Sequence, residues 1–496
     1  MITWGISANS HDAALAVFCD QKLSFASHSE RFSKIKNDPN LHIDLINYAK
    51  SQWGNPDRVY WYERPIFKSF RQLFAGQGFT FRENNIKKYL TQYNITAPIY
   101  YTDHHHSHAA AGYFTSNFNN ACVIVIDAIG EFKTLSIWKA EGESLKCIYG
   151  IEYPHSVGLW YSAMTQRCGL KPNEEEYILM GMAAYGDPDR LYQDIKKEFI
   201  WFPDQLEDGN LLYTKQNLHR GCLNWRPDLV SEQDMFDIAA ATQKVYETVF
   251  EQTLKYAQRL VSSKNVVIMG GCALNCVANS IANKYYDNVY IMPNPGDAGS
   301  AIGAVLAHNP DWQMYQQQPF NPFLGYDMGY HVNNEKIVDY LVEHKICGLA
   351  RGRAEFGPRA LGNRSLIADP RGNDIKDKVN EIKRRQKFRP FAPAILAELS
   401  NDYFDIPGGR SPYMQVVAGC RHPDLFPAIV HADGTSRVQT VEADGSPFRQ
   451  LLELWYDRTG CPMLLNTSLN IKGEPMVNDH ADAEQWGKTY GLPVFN

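Results

Sequence analysis

Apolar and polar positions alternate at the start of the chain in a way that predicts three short strands joined by turns. Ile2 to Ile6, Ala13 to Phe18 and Leu23 to Ala26 carry the apolar runs; Ser7-Ala8-Asn9-Ser10-His11-Asp12 and Asp20-Gln21 carry the turns. That is an antiparallel meander opening a domain. Further on, Ala121-Cys122-Val123-Ile124-Val125-Ile126-Asp127 reads as a buried strand ending in a carboxylate, the end at which open α/β sheets hold ligands. From Ser231 to Val261 the period lengthens to that of an amphipathic helix. It feeds a strand at Val266 to Met269, then the turn Gly270-Gly271-Cys272-Ala273-Leu274-Asn275 and a further helix. Val289 to Met292 repeats this pattern and leads through Pro293-Asn294-Pro295-Gly296 to Asp297, which sits at a strand end as Asp127 does. Gln316 to Pro322, built from Gln, Pro and Asn, is the linker candidate. Beyond it, a helix at Glu335 to Glu343 and a strand at Ile346 to Ala350 open a second unit. No repeat or low-complexity segment is legible in the residues.

Composition adds bounds. With 496 residues, 44% hydrophobic and 21% charged, the chain can bury large cores, which excludes a fibrous or disordered class. The N-terminus has no basic region followed by an apolar stretch, and no run of about 18 apolar residues occurs anywhere, so neither export nor a membrane span is expected. The 10 cysteines include no CxxC pair, which points to reduced thiols and a cytoplasmic location. A net charge of −6 gives no reason to expect polyanion binding overall.

Three features carry candidate chemistry. In His104-His105-His106-Ser107-His108, the spacing of His104 and His108 places both imidazoles on one face of a helix. Asp127 and Asp297 could complete a mixed set of two imidazoles and two carboxylates suited to iron(II), manganese or zinc, although a histidine cluster is as readily structural. The second feature is local charge. Between Arg351 and Arg389 there are 12 Lys and Arg against 5 Asp and Glu, interleaved with Gly, Pro and aromatic residues in Glu355 to Gly362 and Phe388 to Pro393. Guanidinium forks in rigid loops suit phosphate or carboxylate ligands; a nucleic acid backbone and a merely solvated face remain the other readings. The third feature is glycine turns: Gly270-Gly271, and Gly296 with Gly299, can let a nucleotide approach the backbone. Two more polar loops, His431 to Arg437 and Asn466 to Asn470, read equally as sites or plain turns.

Taken together, His11-Asp12, His104-His105-x-x-His108-Ala109-Ala110, Met180 to Gly186, Gly270 to Asn275, Gly296-Asp297-x-Gly299, Glu355 to Gly362 with Arg364-Ser365, Phe388 to Pro393, His431-x-Asp433-Gly434-Thr435 and Asn466 to Asn470 resemble, in order, the motifs of the O-carbamoyltransferases of nodulation-factor and antibiotic biosynthesis. The resemblance spans about residues 5 to 483. It implies an α/β fold with an actin/sugar-kinase-like N-terminal domain, here 1–325, and a smaller YrdC-like α/β C-terminal domain, here 326–496. It also implies a two-step reaction: carbamoyl phosphate and ATP, with Mg, give carbamoyl-adenylate in the C-terminal domain, and the carbamoyl group then passes to an acceptor hydroxyl at an N-terminal iron site.

Carried over position by position, Arg359, Lys383, Arg389, Arg437 and Ser468 would hold carbamoyl phosphate, with Lys36 reaching in from the other domain. His104, His108, Asp127 and Asp297 would bind Fe(II), for which Mn or Zn could substitute. His11 would be the general base, and Gly270, Gly271, Cys272, Asn275, Gly296 and Gly299 would meet the nucleotide. The resemblance leaves a homodimer open and implies no membrane. The chain departs from the family pattern at Ile178, where a Lys is usual, and near Gln386, where a Glu is usual. The acceptor is open among a sugar hydroxyl, a metabolite hydroxyl, and a hydroxymethyl-pyrimidine, such as 5-hydroxymethylcytosine, in a nucleotide or in DNA. A rival reading is a kinase-like ATPase or nucleotide-binding sensor without carbamoyl chemistry.

Overall fold

The structure, a computed structural model, describes residues 1–202, 211–315, 320–389 and 391–496, with backbone alone at 313–315. It divides into two compact units, Met1–Ser24 with Ile46–Phe320, and Phe25–Leu45 with Asn321–Asn496. Residues 316–319 of the expected linker lie outside the described residues.

In the first unit the opening meander forms as the alternation predicts, over Ile2–Ser7, Ala14–Cys19 and Lys22–His28. Asp20 and Gln21 both take positive φ, 46° and 72°, as a two-residue type I′ hairpin requires. The sheet runs in the order Lys22–His28, Ala14–Cys19, Ile2–Ser7, Arg58–Trp61, Ile99–Tyr101. Ile2–Ser7 is antiparallel to its hairpin partner and parallel to Arg58–Trp61, which is parallel to Ile99–Tyr101.

A second sheet repeats this plan. Its order is Ser144–Glu152, Lys133–Glu141, Asn120–Gly130, Asn265–Met269, Asn288–Tyr290, again an antiparallel meander with two parallel strands beyond its first strand. The duplicated plan is that of an actin/sugar-kinase-like domain. It is a repeat of backbone topology without a repeat of residues, since any apolar run that can be buried on both faces serves as such a strand.

The helix Glu232–Leu260 is 29 residues long and starts where the periodicity places it, with Ser231 and Asp234 forming a reciprocal capping box. Two shorter helices, His104–Thr115 and Ser300–Leu306, lie unusually close. A Cβ on Gly303 would come within 1.8 Å of the Ser107 carbonyl oxygen, so only glycine permits that approach.

The second unit centres on a six-stranded mixed sheet in the order Gln439–Val441, Ala392–Leu396, Met463–Ser468, Arg364–Ala368, Ile346–Ala350, Val494–Phe495. Helices Asn334–His344, Ile375–Ile382, Pro447–Thr459 and His480–Tyr490 supply Leu341, Val379, Trp455 and Trp486 to its buried core. In one respect the division differs from the expected 1–325 and 326–496: Phe25–Leu45 clusters with the second unit. There Arg31 donates to the Gly357 carbonyl at 3.1 Å, His28 packs on Phe356, and Lys34 pairs with Asp482. These contacts are 300 or more residues away in sequence, out of reach of any local pattern.

All 10 cysteines are unpaired thiols. Among the described residues no helix is long and apolar enough to cross a membrane.

Candidate active site

His104 is the first residue of the helix His104–Thr115, whose N-cap Asp103 accepts from the His106 N–H. The four histidines then part company. His106 stacks on Trp138, and His105 bonds the Ser136 hydroxyl at 2.7 Å. Burial, reinforced for His105 by its charged neighbour His104, pushes their pKa values down, to about 4 and about 3, so both rings are neutral. His104 and His108 point the other way and meet Asp127 and Asp297.

Asp127 lies not at its strand's end but at the break in the hairpin ladder between Ile126 and Gly130, two residues past the last parallel pairing, Val125 with Met269. Its Oδ1 accepts from the backbone N–H groups of Ala128 at 2.8 Å and Gly271 at 3.3 Å, which leaves Oδ2 turned toward the imidazoles. Asp297 opens a short 3₁₀ turn, Asp297–Gly299, that runs into the helix pinned by Gly303.

The geometry is close. His104 Nε2 lies 3.0 Å from Asp127 Oδ2, 3.4 Å from Asp297 Oδ1 and 3.1 Å from His108 Nε2; His108 Nε2 lies 3.5 and 3.3 Å from the same two carboxylates. All four residues are less than 8% exposed. A tetrahedral ion bound at about 2.0–2.1 Å would have ligand–ligand edges of roughly 3.3 Å, and the observed separations bracket that value. His108 donates its Nδ1–H to the Pro295 carbonyl at 3.1 Å, which leaves Nε2 as a lone-pair donor, the tautomer a metal ligand needs.

Electrostatics agree. Burial would lower the His104 pKa, but the Asp297 charge and bonds to both carboxylates hold it well above the ordinary imidazole value. Burial would raise the Asp297 carboxyl, yet His104 and then His11 keep it far below the usual range. A cluster that draws protons this strongly is one built to hold positive charge. The donor set, two imidazole nitrogens and two carboxylate oxygens, fits a divalent transition metal.

His11 belongs to the same place. It sits on the first turn, half-exposed, with Nε2 3.8 Å from Asp297 Oδ2, so the buried cluster has an open side bearing one more imidazole. Of the glycine positions, Gly270 has φ +91° and its Cβ would strike the Ile126 carbonyl at 2.2 Å, while Gly271 directs its N–H at Asp127. Gly299 packs against the Asn294 carbonyl, where a Cβ would lie at 1.9 Å, whereas Gly296 faces open space. Asn275 caps the helix Cys276–Asn279 and exchanges amide bonds with Gln243, and Cys272 lies within the 3₁₀ turn Gly271–Leu274. Ile178 is 1% exposed and packs in the core.

Two residues that the pattern of the sequence did not single out shape this site. Gly130 leaves room for the His104 ring: a Cβ there would fall 2.1 Å from its Cδ2. Buried Glu131 accepts from the Arg64 N–H at 2.5 Å. Neither shows in the sequence, because each acts through a fold contact more than 20 residues away.

In the second unit, strand register gathers the predicted cations. Ala392 faces Asn466, Gln439 begins beside Ala394, and Ser365 opposes Ser468. The loops bearing Arg359, Arg389 and Arg437 and the end of the strand bearing Ser468 therefore all leave one end of the sheet. An amide clamp fixes them: Asn466 donates to the Ala360 carbonyl and to Gln439, which donates to the Leu361 carbonyl. Glu355 shapes the Arg359 loop by accepting from the N–H groups of Leu361, Asn363 and Arg364 at 2.7, 2.8 and 3.2 Å.

Lys383 is buried, and its ammonium donates to the Ser468 carbonyl at 2.5 Å and to the Asn470 carbonyl and amide oxygen at 2.9 and 3.0 Å. It thus holds the loop that presents Ser468. Burial, with Arg385 and Arg389 nearby, pushes its pKa well down. Lys36 belongs to this same unit by contact and pairs with Glu30 at 2.9 Å. Much of the basic segment is structural. Arg364 is fully buried on five backbone carbonyls, Arg353 caps those of Leu324 and Gly325, Arg351 binds Asn334 and the Pro447 carbonyl, and Arg371 pairs with Asp369.

The fold and the two clusters define a two-unit α/β protein with a metal-type centre in one unit and an anion-type site in the other. Two family profiles match it, carbamoyltransferase N-terminus over residues 67–306 and carbamoyltransferase C-terminus over residues 338–494. The nodulation protein NolO of Bradyrhizobium diazoefficiens is 31% identical over 77% of this chain and 75% of its own length. The 3'-hydroxymethylcephem-O-carbamoyltransferase of Amycolatopsis lactamdurans is 25% identical over 97% of this chain and 95% of its own. Among solved structures, full-length HypF in a phosphate- and nucleotide-bound form superposes with a TM-score of 0.37 at 13% identity, covering 64% of this chain and 47% of HypF. The chain belongs to the carbamoyltransferase family, and it is an enzyme of carbamoyl transfer.

Proposed function

We propose that the protein is an ATP-dependent O-carbamoyltransferase. Carbamoyl phosphate and ATP react in the second unit to carbamoyl-adenylate and pyrophosphate, and the carbamoyl group passes in the first unit to an acceptor hydroxyl, releasing AMP. The observation that carries the reading is the cluster of His104, His108, Asp127 and Asp297 with His11 on its open side. Those four residues would hold iron(II), or manganese or zinc in its place, which when bound supplies Lewis-acid polarisation of the carbamoyl carbonyl.

The chain's own groups do the rest. His11, half-exposed beside Asp297, accepts the proton of the acceptor hydroxyl as its oxygen bonds the carbonyl carbon and the bond to the adenylate oxygen breaks. The Asp297 carboxylate faces that ring, 3.8 Å from its Nε2. In the second unit, Arg359, Arg389 and Arg437 offer guanidinium forks to phosphate oxygens, and Lys383 keeps Ser468 in place as a hydroxyl donor. Mg would accompany ATP.

The test is pyrophosphate release from ATP with and without carbamoyl phosphate, run beside transfer to a hydroxyl acceptor. Strict dependence on carbamoyl phosphate is expected. His11→Asn should leave that release intact while slowing transfer by roughly 100- to 10,000-fold. Release that ignores carbamoyl phosphate would overturn the reading.

A further inference from the structure

The helix Pro65–Phe74 has its polarity reversed. Lys68, Ser69 and Arg71 are its buried residues, while Ile66, Phe67, Phe70 and Phe74 are 63, 46, 51 and 71% exposed. The loop after it adds Phe79 at 78% and Phe81 at 37%. The reversal is locked in place. Lys68 donates to Glu63 at 2.6 Å and to the Asn9 carbonyl at 2.7 Å, and Asn84 donates to Ser69 at 2.8 Å. Rolling the helix to bury its phenylalanines would unpair a buried Lys–Glu pair, a strongly unfavourable change.

Contiguous exposed aromatic surface of this kind marks an interaction site. The rings also brace one another: Phe70 meets Phe81 edge-on at 5.4 Å and 86°, and Phe79 lies 5.8 Å from Phe81.

Two observations identify the occupant. The first is charge: between Arg64 and Lys88 the exposed charged residues are Arg64, Arg82, Lys87 and Lys88 against Glu83 alone. In a two-fold pairing of identical copies the same patch meets itself, which would set these cations against each other; a polyanion would be attracted to them. The second is position. Asn9, to which Lys68 and the Glu83 carbonyl are bonded, lies on the same turn as His11.

We infer that this face is the acceptor platform, and that the acceptor is a single-stranded nucleic acid whose bases stack on the phenylalanines while its phosphates meet the flanking cations, delivering a base-borne hydroxymethyl group to His11. This rests on the reading of His11 as the acceptor's base. Aromatic faces with interleaved cations are how sequence-tolerant single-strand sites work, and a helix of ten residues, about 15 Å long, accommodates the smallest of their site sizes, about four nucleotides.

The test is fluorescence anisotropy of a labelled strand of about 20 nucleotides carrying one 5-hydroxymethylcytosine, at 50 and 200 mM salt. Binding is expected to weaken roughly 20- to 50-fold across that interval for three or four phosphate contacts. Phe79→Ala should weaken it at least about fivefold, and Arg82→Ala with Lys87→Ala should flatten the salt dependence to about half. Circular dichroism checks that the variants stay folded. No binding at 50 mM salt, or Phe79→Ala binding like wild type, overturns the inference. So does a dimer in sedimentation velocity that Phe70→Asp converts to monomer, or capture by phosphatidylglycerol vesicles that Phe79→Ala abolishes while strand binding is unchanged. Carbamoyl-phosphate-dependent pyrophosphate release by the wild-type protein separates the two readings: release without strand binding removes only the platform, and strand binding without release removes the enzyme mechanism.

Discussion

Replacing Gly130 by alanine isolates the geometry of the metal-type centre. The added Cβ would lie 2.1 Å from His104 Cδ2, 2.6 Å from Cγ and 2.8 Å from Nε2, where unstrained carbon contacts begin near 3.5 Å. Gly130 is not among the residues with positive φ, so alanine meets no backbone penalty and the clash falls on the ring alone. The ring must retreat by roughly 1.4 Å to restore contact distance, several times the ~0.2 Å tolerance of a metal–ligand bond. The proposed ligand role of His104 would then be lost.

We expect metal affinity to fall at least about 100-fold, more than the loss of a supporting contact costs. Overpacking should also destabilise the unit by about 1–3 kcal/mol. The assay is titration of metal-free protein with iron(II) or cobalt(II), followed by absorbance and checked by metal content after dialysis. Gly150→Ala is the control, two strands over in the same sheet, where the new Cβ makes only ordinary contacts, with the Leu135 carbonyl at 3.7 Å and the Lys133 Cε at 3.9 Å. Gly130→Ala protein that binds metal as tightly as the Gly150→Ala control would refute the placement of His104 as a ligand.

Lys383→Met should remove the anchor of the Ser468–Asn470 loop, costing about 1.5–3 kcal/mol for the lost charged hydrogen bonds, and raise the KM for carbamoyl phosphate; an unchanged KM would show that the loop holds itself. Glu131 is buried, and burial first, then the Asp103 charge, raise its carboxyl from 4.5 to about 7. A raised carboxyl favours folding below its unfolded value and loses that contribution as pH climbs through about 7, so Glu131→Gln should be more stable than wild type at pH 8, by roughly 3 kcal/mol, and no more stable at pH 4. Thermal unfolding at the two pH values reads the sign; equal shifts at both would count against a protonated Glu131. Metal binding should weaken as pH falls from 8 to 6, because the two carboxylates raise the His104 and His108 imidazoles and protons then compete with the metal for their Nε2 atoms. Proton release measured by calorimetry in two buffers checks this.

Local chemistry is written in the chain. The capping box at Ser231 and Asp234 starts the long helix where the periodicity does, and the strand Ile346–Ala350 matches its apolar run residue for residue. Spacing alone put His104 and His108 on one face, since helix periodicity is a property of the backbone. The ordered motifs carried the family, and the family profiles match across both units.

Other features exist only once distant segments meet. The sequence shows no repeat, yet two sheets share one topology, because strand order is decided by packing rather than residue identity. The basic segment counted as one anion site, but buried Arg364 and Arg351 serve carbonyls inside the fold, and only register shows that Arg359, Arg389 and Arg437 leave the same sheet end. Which of four neighbouring histidines face the two aspartates was decided by the partners Ser136 and Trp138 give the others, and the reversed helix Pro65–Phe74 by its buried Lys68–Glu63 pair. The physical reason is common to all of them: a residue type states what a side chain can do, and only its tertiary partners decide which of those capacities is left open to a ligand.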